Sequence, residues 1–263
     1  MNPIPHVVGM VHLLPLPGSP GFNGSMDEVI QTAVADASDL AEAGFPALMI
    51  ENFGDIPFFA DGIPAETISA MTVSVTGVSD ATGLPFGVNV LRNDALSALG
   101  IAAATGAAFI RVNVLTGIMY TDQGPIVGQA AEVLRKRSRL APGVEIWADV
   151  MVKHAAAPTG IDASRAAADT VERGRADAVI VSGSGTGAEP DIREANVVRA
   201  AVPAETRVVI GSGANVDNLP KFTGTADSVI VGSSTKVDGD ARNRIDPRRA
   251  SRFIEVARDE GLL

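Results

Sequence analysis

Short runs of β-branched and other apolar residues alternate along the chain with longer, alanine-rich segments of helical pattern. Eight apolar runs predict β-strands, at 7–11, 47–50, 86–90, 109–114, 145–150, 178–181, 208–210 and 228–231. The segments between and after them predict helices at about 26–43, 65–82, 94–105, 124–140, 163–173, 191–201, 216–222 and 247–260. Alternating strands and helices indicate parallel βαβ units, and eight units predict a single (β/α)8 TIM barrel with parallel strands.

The chain shows no linker, low-complexity tract or shift of composition between its ends. A length of 263 residues suits one barrel, so we expect one domain over 1–263. The longest irregular segments, 13–24, 52–63 and 235–246, follow the first, second and eighth predicted strands. They are therefore expected to form loops at the C-terminal mouth of the barrel.

Polar residues occur at or near the C-terminal ends of the first five predicted strands, with apolar residues at alternate positions. Because side chains alternate across a strand, the apolar neighbours, such as Val11 and Ile50, are expected to face the helices and the polar set the interior. Buried charges are costly unless they are paired or used, and barrel enzymes build their active sites at this face. The polar set comprises His12, Glu51, Asn89, Arg111, Asn113, Asp149 and, just beyond the fifth strand, Lys153.

This set predicts an active site. His12, Glu51, Asp149 and Lys153 are the candidates for proton transfer or for holding the reacting end of a substrate. Substrate-binding candidates are Asn89, Arg111 and Asn113, with Asp55 in the loop after strand two and His154. Three alternatives stay open: a satisfied polar layer in which Arg111 pairs with Glu51 or Asp149, Schiff-base chemistry at Lys153, and anion binding by the same lysine. The cofactor is unknown: a divalent metal on His12, Glu51, Asp149 and His154 is conceivable, but no local ligand spacing supports it.

Glycine-rich segments follow the last three strands, as SGSGTG (182–187), GSGAN (211–215) and GSSTK (232–236). Glycine lets the backbone approach a ligand, and the loops after strands seven and eight commonly bind phosphate in barrels. The alternative is ordinary tight-turn chemistry. The predicted phosphate-binding residues are Gly183, Gly185, Gly211, Gly213, Gly232 and Ser233, and Lys236 is expected to add a positive charge to them.

Composition narrows the classes of partner. The formal charge of −10 and the aromatic content of 4% argue against a nucleic-acid binder. The absence of cysteine excludes disulfides and thiolate chemistry. No apolar run is long enough for a transmembrane helix, and no secretory signal is recognisable. We therefore expect a cytoplasmic protein with a small phosphorylated ligand, while peripheral membrane association and a homo-oligomer remain compatible with the sequence.

Several long motifs resemble those of one known family. GMVHLLPLPGSP (9–20), ENFGDIPF (51–58), RVNV (111–114) and ADVMVKHA (148–155) are similar to successive blocks of the BtpA family, also called the photosystem I biogenesis protein family. The resemblance covers nearly the whole chain. It implies a barrel and a name tied to photosystem I accumulation, but no catalytic residues.

Three hypotheses of function follow. The first is an enzyme of the lyase, isomerase or hydrolase type that acts on a phosphorylated sugar, a nucleotide or a related metabolite. The second is a non-catalytic assembly or stability factor for a membrane complex such as photosystem I, which predicts an exposed apolar patch and a protein partner. The third is a former enzyme that now senses a ligand, which predicts tight binding without turnover.

Overall fold

Eight parallel strands close into a barrel in the computed structural model, which describes residues 5–183 and 185–263. The barrel order is β1-β2-β3-β4-β7-β9-β10-β11, and β11 pairs with β1 to close it. These strands are β1 (Val7–His12), β2 (Ala47–Glu51), β3 (Phe86–Asn89), β4 (Phe109–Val112), β7 (Glu145–Val150), β9 (Ala178–Val181), β10 (Arg207–Ile210) and β11 (Ser228–Val231). The predicted fold class is therefore confirmed.

Helices follow the strands on the outside of the barrel. They are α1 (Met26–Ala43), α2 (Ala65–Thr82), α3 (Ala95–Thr105), α4 (Ala130–Leu140), α5 (Ala163–Ala168, continued by a π-helical turn Asp169–Arg173), α6 (Ile192–Ala201), α7 (Leu219–Phe222) and α8 (Pro247–Asp259). Ser25 caps α1 by accepting a hydrogen bond from the Glu28 N–H. No helix in the part of the chain that the structure describes is long and apolar enough to cross a membrane.

The prediction of a helix over 124–140 is wrong at its start. A small antiparallel sheet lies there instead, in which β5 (Ile118–Thr121) pairs with β6 (Gly124–Val127) and with β8 (Ala155–Ala156). Gly124 has a φ of +96° and Pro125 has no N–H to donate, so this segment suits a tight hairpin and an edge strand better than a helix. Met119 and Ile126 face inward and contribute to a small apolar cluster with Val114 and Val152.

Alternate residues of each strand belong to two different parts of the core. One set of strand residues, including Val11, Ile50, Val88 and Val112, packs against the helices, as predicted. The other set fills the barrel interior with residues such as Met10, Met49 and Ile230. Phe109 and Trp147 stack inside the barrel, with ring centroids 4.1 Å apart. The lower half of the barrel is thus a solid apolar plug, and its open space lies above this plug.

Candidate active site

A polar layer lies above the apolar plug. On each strand, the next inward-facing residue lies two positions after the plug residue, and it is either polar or a glycine. His12 follows Met10, Glu51 follows Met49, Arg111 follows Phe109 and Asp149 follows Trp147, whereas the later strands end in Gly211 and Gly232. The layer thus has a charged side, on β1, β2, β4 and β7, and an open side, on β10 and β11.

The first part of the charged side is a hydrogen-bond network centred on Asp149. Arg111 Nε and Nη2 donate to the two carboxylate oxygens of Asp149, at 2.9 and 2.8 Å. Asn113 Nδ2 and Ser182 Oγ also donate to Asp149, and Asn89 Nδ2 donates to Asn113 Oδ1. Burial acts to lower the pKa of the Arg111 guanidinium, but attraction and hydrogen bonding to Asp149 raise it above its ordinary value. Arg111 is therefore a fixed cation, and both oxygens of Asp149 are engaged.

The second part of the charged side consists of His12, Glu51 and Lys153, which we call the mouth cluster. The Glu51 carboxylate is buried, with the residue 3% exposed, and its oxygens accept no hydrogen bond from another described residue. The nearest charged or titratable partner is His12, whose Nε2 lies 3.7 Å from Glu51 Oε1. The carboxylate lines the mouth cavity, so solvent or a ligand must supply its hydrogen bonds. This arrangement is typical of a site that a ligand completes.

The His12 ring adds a second unsatisfied acceptor. Its Nδ1 lies 2.9 Å from the Ala241 carbonyl, which can only accept, so Nδ1 carries the proton. Burial and the positive charges of Lys236 and Lys153 lower the pKa of His12 to about 3, so the ring is neutral at pH 7. The contact with Glu51 is therefore no ion pair, and the lone pair of Nε2 faces a carboxylate oxygen. A hydrogen-bond donor placed beside these two acceptors would satisfy both.

Lys153 supplies the cationic member of the mouth cluster. Its side chain lines the same cavity as His12 and Glu51, and its ammonium group makes no ion pair or hydrogen bond with another described residue. Burial lowers the pKa of Lys153, and although Glu51 and Asp149 oppose this effect, the nearby Arg111 and Arg92 guanidiniums add to it. The three members of the mouth cluster thus converge on one space without satisfying one another.

The open side of the layer presents backbone N–H groups. Those of Ser212, Gly213, Ser233 and Ser234 donate to no acceptor in the described part of the chain. Ser234 Oγ donates to the Ala214 carbonyl at 2.8 Å, which holds the loops after β10 and β11 together. Free N–H groups at the ends of successive strands are a feature that anion-binding sites use. Ser212, Gly213 and Ser233 line the same cavity as the mouth cluster.

One cavity joins the two sides. Its lining includes His12, Glu51, Arg111 and Lys153 on the charged side and Gly211, Gly213, Gly232 and Ser233 on the open side. The inner space is narrow, about 20 Å³, and a wider vestibule of about 440 Å³ shares its lining residues Thr186 and Ser233. Phe53 lines the vestibule and stacks on His12, with ring centroids 4.3 Å apart. The shape suits a small reactive end inside and the remainder of a ligand outside.

Four of the sequence-predicted residues lie elsewhere. Asp55 accepts from the Leu16 N–H and from Asn52, so it joins the loops after β1 and β2 and does not line the mouth cavity. His154 lies at the rim, where its Nε2 accepts from the Thr186 N–H. Gly183 and Gly185 do not line the cavity. A Cβ on Gly183 would lie 2.1 Å from the Ala188 carbonyl, so close backbone packing explains this glycine without any ligand.

The expectation for Lys236 is wrong. Its Nζ binds Asp36 of α1 at 2.8 Å, behind the barrel wall, and the residue is 1% exposed. Arg244 also donates to Asp36, so the three residues form what we call the buried triad. Lys236 lies five residues after the end of β11, and the strand's alternation does not fix the direction of a side chain so far into a loop. Its side chain turns outward toward α1.

The proposed metal ligands do not assemble. Asp149 is engaged by Arg111, and His154 lies at the rim, which leaves only His12 and Glu51 as neighbours. Among residues 5–183 and 185–263, no group of three or more potential His, Asp or Glu ligands is arranged to hold a metal ion.

Sequence reasoning missed Arg92, Phe53 and Thr186. Arg92 is buried at the mouth, and its Nη2 donates to the Lys153 carbonyl. The polar run Arg92-Asn93-Asp94, shortly after β3, was the available signal, since it repeats the strand-end pattern of the other polar residues. Phe53 and Thr186 have no comparable signal, because an aromatic or a threonine in a loop is common.

A larger cavity lies beside the mouth. It has a volume of about 820 Å³ and extends between α4 and α5, with mostly apolar walls and with Asn113 and Asp149 at its inner end. No member of the mouth cluster lines it. We place the candidate active site in the smaller mouth cavity, because only there do unsatisfied acidic and basic groups meet.

Comparisons with known proteins agree with this architecture. The model of the BtpA family matches residues 4–259. An uncharacterized protein of Thermococcus kodakarensis is 47% identical over 96% of this chain and 95% of its own length. The photosystem I biogenesis protein BtpA of Synechocystis sp. is 47% identical over 97% of this chain and 88% of its own length.

Solved structures with a similar fold share little sequence. N-(5'-phosphoribosyl)anthranilate isomerase from Pyrococcus furiosus superposes with a TM-score of 0.60 at 13% identity, covering 97% of this chain and 99% of that one. Thiamine phosphate pyrophosphorylase from the same organism gives a TM-score of 0.58 at 14% identity, covering 97% and 96%. These likenesses support the barrel fold alone.

Proposed function

This chain belongs to the BtpA family, and we propose that it is an enzyme that binds a phosphorylated small metabolite at the barrel mouth and catalyses a proton-transfer reaction on it. The reaction is of the lyase, isomerase or hydrolase type. One observation carries the proposal: the mouth cluster lines the same cavity as Ser212, Gly213 and Ser233, whose backbone N–H groups donate to no described acceptor. A phosphate and a reacting end would satisfy them together.

The open side of the layer is the proposed phosphate site. The N–H groups of Ser212, Gly213, Ser233 and Ser234 would bind the phosphate oxygens, as the loops after strands seven and eight commonly do in barrels. The fold neighbours give the same indication, because the names of the isomerase and the pyrophosphorylase refer to phosphorylated compounds. Lys153 and Arg111 add positive charge on the opposite wall.

The charged side divides into reacting and positioning residues. Glu51 and Lys153 are the acid–base candidates, and neutral His12 can accept a proton or a hydrogen bond through Nε2. Asp149, whose oxygens are both engaged, holds Arg111 in place and so acts as a positioning residue. Asn113 and Asn89 extend this support.

A thermal-shift screen of phosphorylated metabolites against their unphosphorylated counterparts tests the proposal. A ligand at a hundredfold excess over its Kd stabilises the folded state by about 2.7 kcal/mol. Ser233→Asp places a carboxylate among the phosphate-binding N–H groups, so it should abolish the shift, whereas Ser138→Asp on the exposed face of α4 should leave it unchanged. A shift that survives Ser233→Asp would place the phosphate elsewhere. Binding without turnover of any bound compound would favour the ligand-sensing hypothesis.

A second candidate function is assembly of a membrane complex, which the name of the Synechocystis relative suggests. The observation in its favour is the outer face of the β5–β6 hairpin, where Tyr120 is 53% and Val127 58% exposed. Expression of this chain in a Synechocystis strain that lacks its own BtpA separates the two candidates, with photosystem I content as the readout. Loss of rescue in Tyr120→Lys/Val127→Lys favours a docking role, and loss in Lys153→Met favours chemistry.

A further inference from the structure

Lys153 differs from the other lysines of the chain. The sequence has four lysines, at 136, 153, 221 and 236. Lys221 forms an exposed pair with Glu189, and Lys236 is locked to Asp36. Lys136 lies on the outer helix α4. Only Lys153 lines the mouth cavity, where no counter-ion holds its amine.

The backbone around Lys153 directs its side chain into the mouth. Met151 and His154 have φ values of +54° and +55°, a left-handed conformation that non-glycine residues rarely adopt. The Arg92 guanidinium donates to the Lys153 carbonyl at 2.5 Å and fixes the loop from the β3 side. Strain of this kind persists where the surrounding structure fixes it, and it is concentrated at functional sites.

The groups that face the Lys153 amine suit a nucleophile. Glu51 and Asp149 contribute negative charge, and Arg111 and Arg92 contribute positive charge. Burial and the two guanidiniums lower the pKa of the amine, which increases its neutral fraction near pH 7. Glu51 lines the same cavity, and no described residue donates a hydrogen bond to its carboxylate.

We infer that Lys153 forms a Schiff base with a phosphorylated aldehyde or ketone. This inference rests on the proposed function and names its substrate class. The amine lone pair bonds to the carbonyl carbon, and the carbonyl π electrons move to oxygen. A proton passes from nitrogen to that oxygen, giving a carbinolamine. The Glu51 carboxylate, having taken a proton from the Lys153 ammonium when the amine became neutral, then passes that proton to the hydroxyl, water leaves, and the nitrogen lone pair forms the C=N bond.

The net step is balanced and needs no redox partner. One amine, one carbonyl compound and one proton give one protonated Schiff base and one water, and hydrolysis returns the proton. The iminium withdraws electrons from the neighbouring carbon, which favours loss of a proton or cleavage of a carbon–carbon bond there. The inference therefore selects the lyase and isomerase classes over simple hydrolysis.

Borohydride trapping tests the inference. The protein is mixed with dihydroxyacetone phosphate or glyceraldehyde 3-phosphate, reduced with sodium borohydride, digested and mapped by mass spectrometry. The peptide that contains Lys153 should gain the mass of the carbonyl compound less one oxygen atom, in excess of any label on exposed Lys221. Lys153→Arg should lose this adduct, whereas Lys221→Arg should keep it. Glu51→Gln should slow its formation by about a hundredfold.

The outcomes separate this inference from the proposed function. If Lys153 is labelled no more than Lys221, the Schiff base is wrong. If phosphorylated compounds still stabilise the protein through a Ser233-dependent shift in that case, the phosphate site stands alone. If neither labelling nor stabilisation occurs, both proposals fail. Lys153→Arg keeps the positive charge. If phosphorylated compounds still stabilise this variant against unfolding but the adduct is lost, the Lys153 amine has a chemical role.

Discussion

The mouth cluster and the buried triad contain the same kinds of charged group in opposite states. In the triad, Lys236 Nζ lies 2.8 Å from Asp36, and Arg244 and the Ile245 N–H complete the carboxylate. In the mouth cluster, Glu51 is buried and Lys153 is half-buried, yet neither has a hydrogen-bond partner among the described residues. Burial lowers the pKa of both lysines. Burial alone therefore does not mark a functional lysine; the missing partner does.

The largest expected difference is in stability. Lys236→Met removes the main counter-ion of a buried carboxylate and should lower the free energy of unfolding by about 3–5 kcal/mol, measured by urea denaturation. Lys153→Met removes a desolvated charge that has no partner, so stability should stay the same or rise while borohydride labelling disappears. Equal losses of stability in the two variants would show that Lys153 is held by a structural contact.

A second comparison lies within the polar layer, between its closed and its open carboxylate. Asp149→Asn leaves the buried Arg111 guanidinium without its counter-charge and should cost about 3 kcal/mol of unfolding free energy. Glu51→Gln breaks no hydrogen bond to a described residue, so its cost should be below about 1 kcal/mol, within the usual range for substitutions that remove no such interaction.

Glu51→Gln and Asp149→Asn should have opposite effects on stability and on turnover. Glu51→Gln should abolish turnover with little loss of stability, and Asp149→Asn should destabilise the protein at least as strongly as it impairs the reaction. If Glu51→Gln proved the more destabilising variant, Glu51 would have to be a structural residue, and the mouth cluster would lose its acid–base member.

Much of this contrast could be predicted from the sequence, because two strong regularities apply. The period of two along a strand, together with closure of eight parallel strands, requires His12, Glu51, Arg111 and Asp149 to meet at one end of the barrel. Which of them pair depends on distances across the barrel. Arg111 had two candidate partners in sequence, Glu51 and Asp149, and only the fold shows that Asp149 accepts hydrogen bonds from both Nε and Nη2 of the guanidinium.

Residues beyond the strand ends were less predictable, because no fixed period governs a loop. Asp55, four residues after β2, contacts the β1 loop and not the mouth. The β5–β6 hairpin was hidden in a segment predicted to be helical, because its two strands are only four residues long. Asp55 contacts a segment 39 residues away in sequence, which local patterns do not encode. The hairpin is a local contact, but its strands are too short to show a period of two clearly.

Glycines on the open side give a third contrast. A Cβ on Gly211 would lie 2.1 Å from Ile180 Cγ2, so Gly211→Ala should cost about 1–3 kcal/mol through overpacking. A Cβ on Gly232 would lie 3.5 Å from His12 Cε1, an ordinary contact distance, so Gly232→Ala should be nearly neutral for folding. It would nevertheless fill part of the narrow mouth cavity and weaken phosphate binding. Calorimetric titration with the best phosphorylated ligand, beside urea denaturation, measures both effects, and unchanged affinity in Gly232→Ala would argue against a ligand at this wall.

The smallest expected effect is a pH dependence that tests whether His12 is neutral. Its pKa is about 3 in the folded protein and about 6.5 when unfolded, so between these values the unfolded state binds a proton that the folded state does not. The free energy of unfolding should therefore fall as the pH decreases below 6.5, with a slope approaching about 1.4 kcal/mol per pH unit. Urea denaturation at about pH 7.0, 6.5, 6.0 and 5.5 measures the slope. His12→Gln should remove the part of the slope that His12 causes. His154→Gln should change the slope less, because burial and the positive charges of Lys153 and Arg92 also lower the pKa of His154, but at the exposed rim this shift is smaller. A His12 ring whose NMR signals titrate near its ordinary pKa would instead be an ion-pair partner of Glu51, and the mouth cluster would then resemble the buried triad.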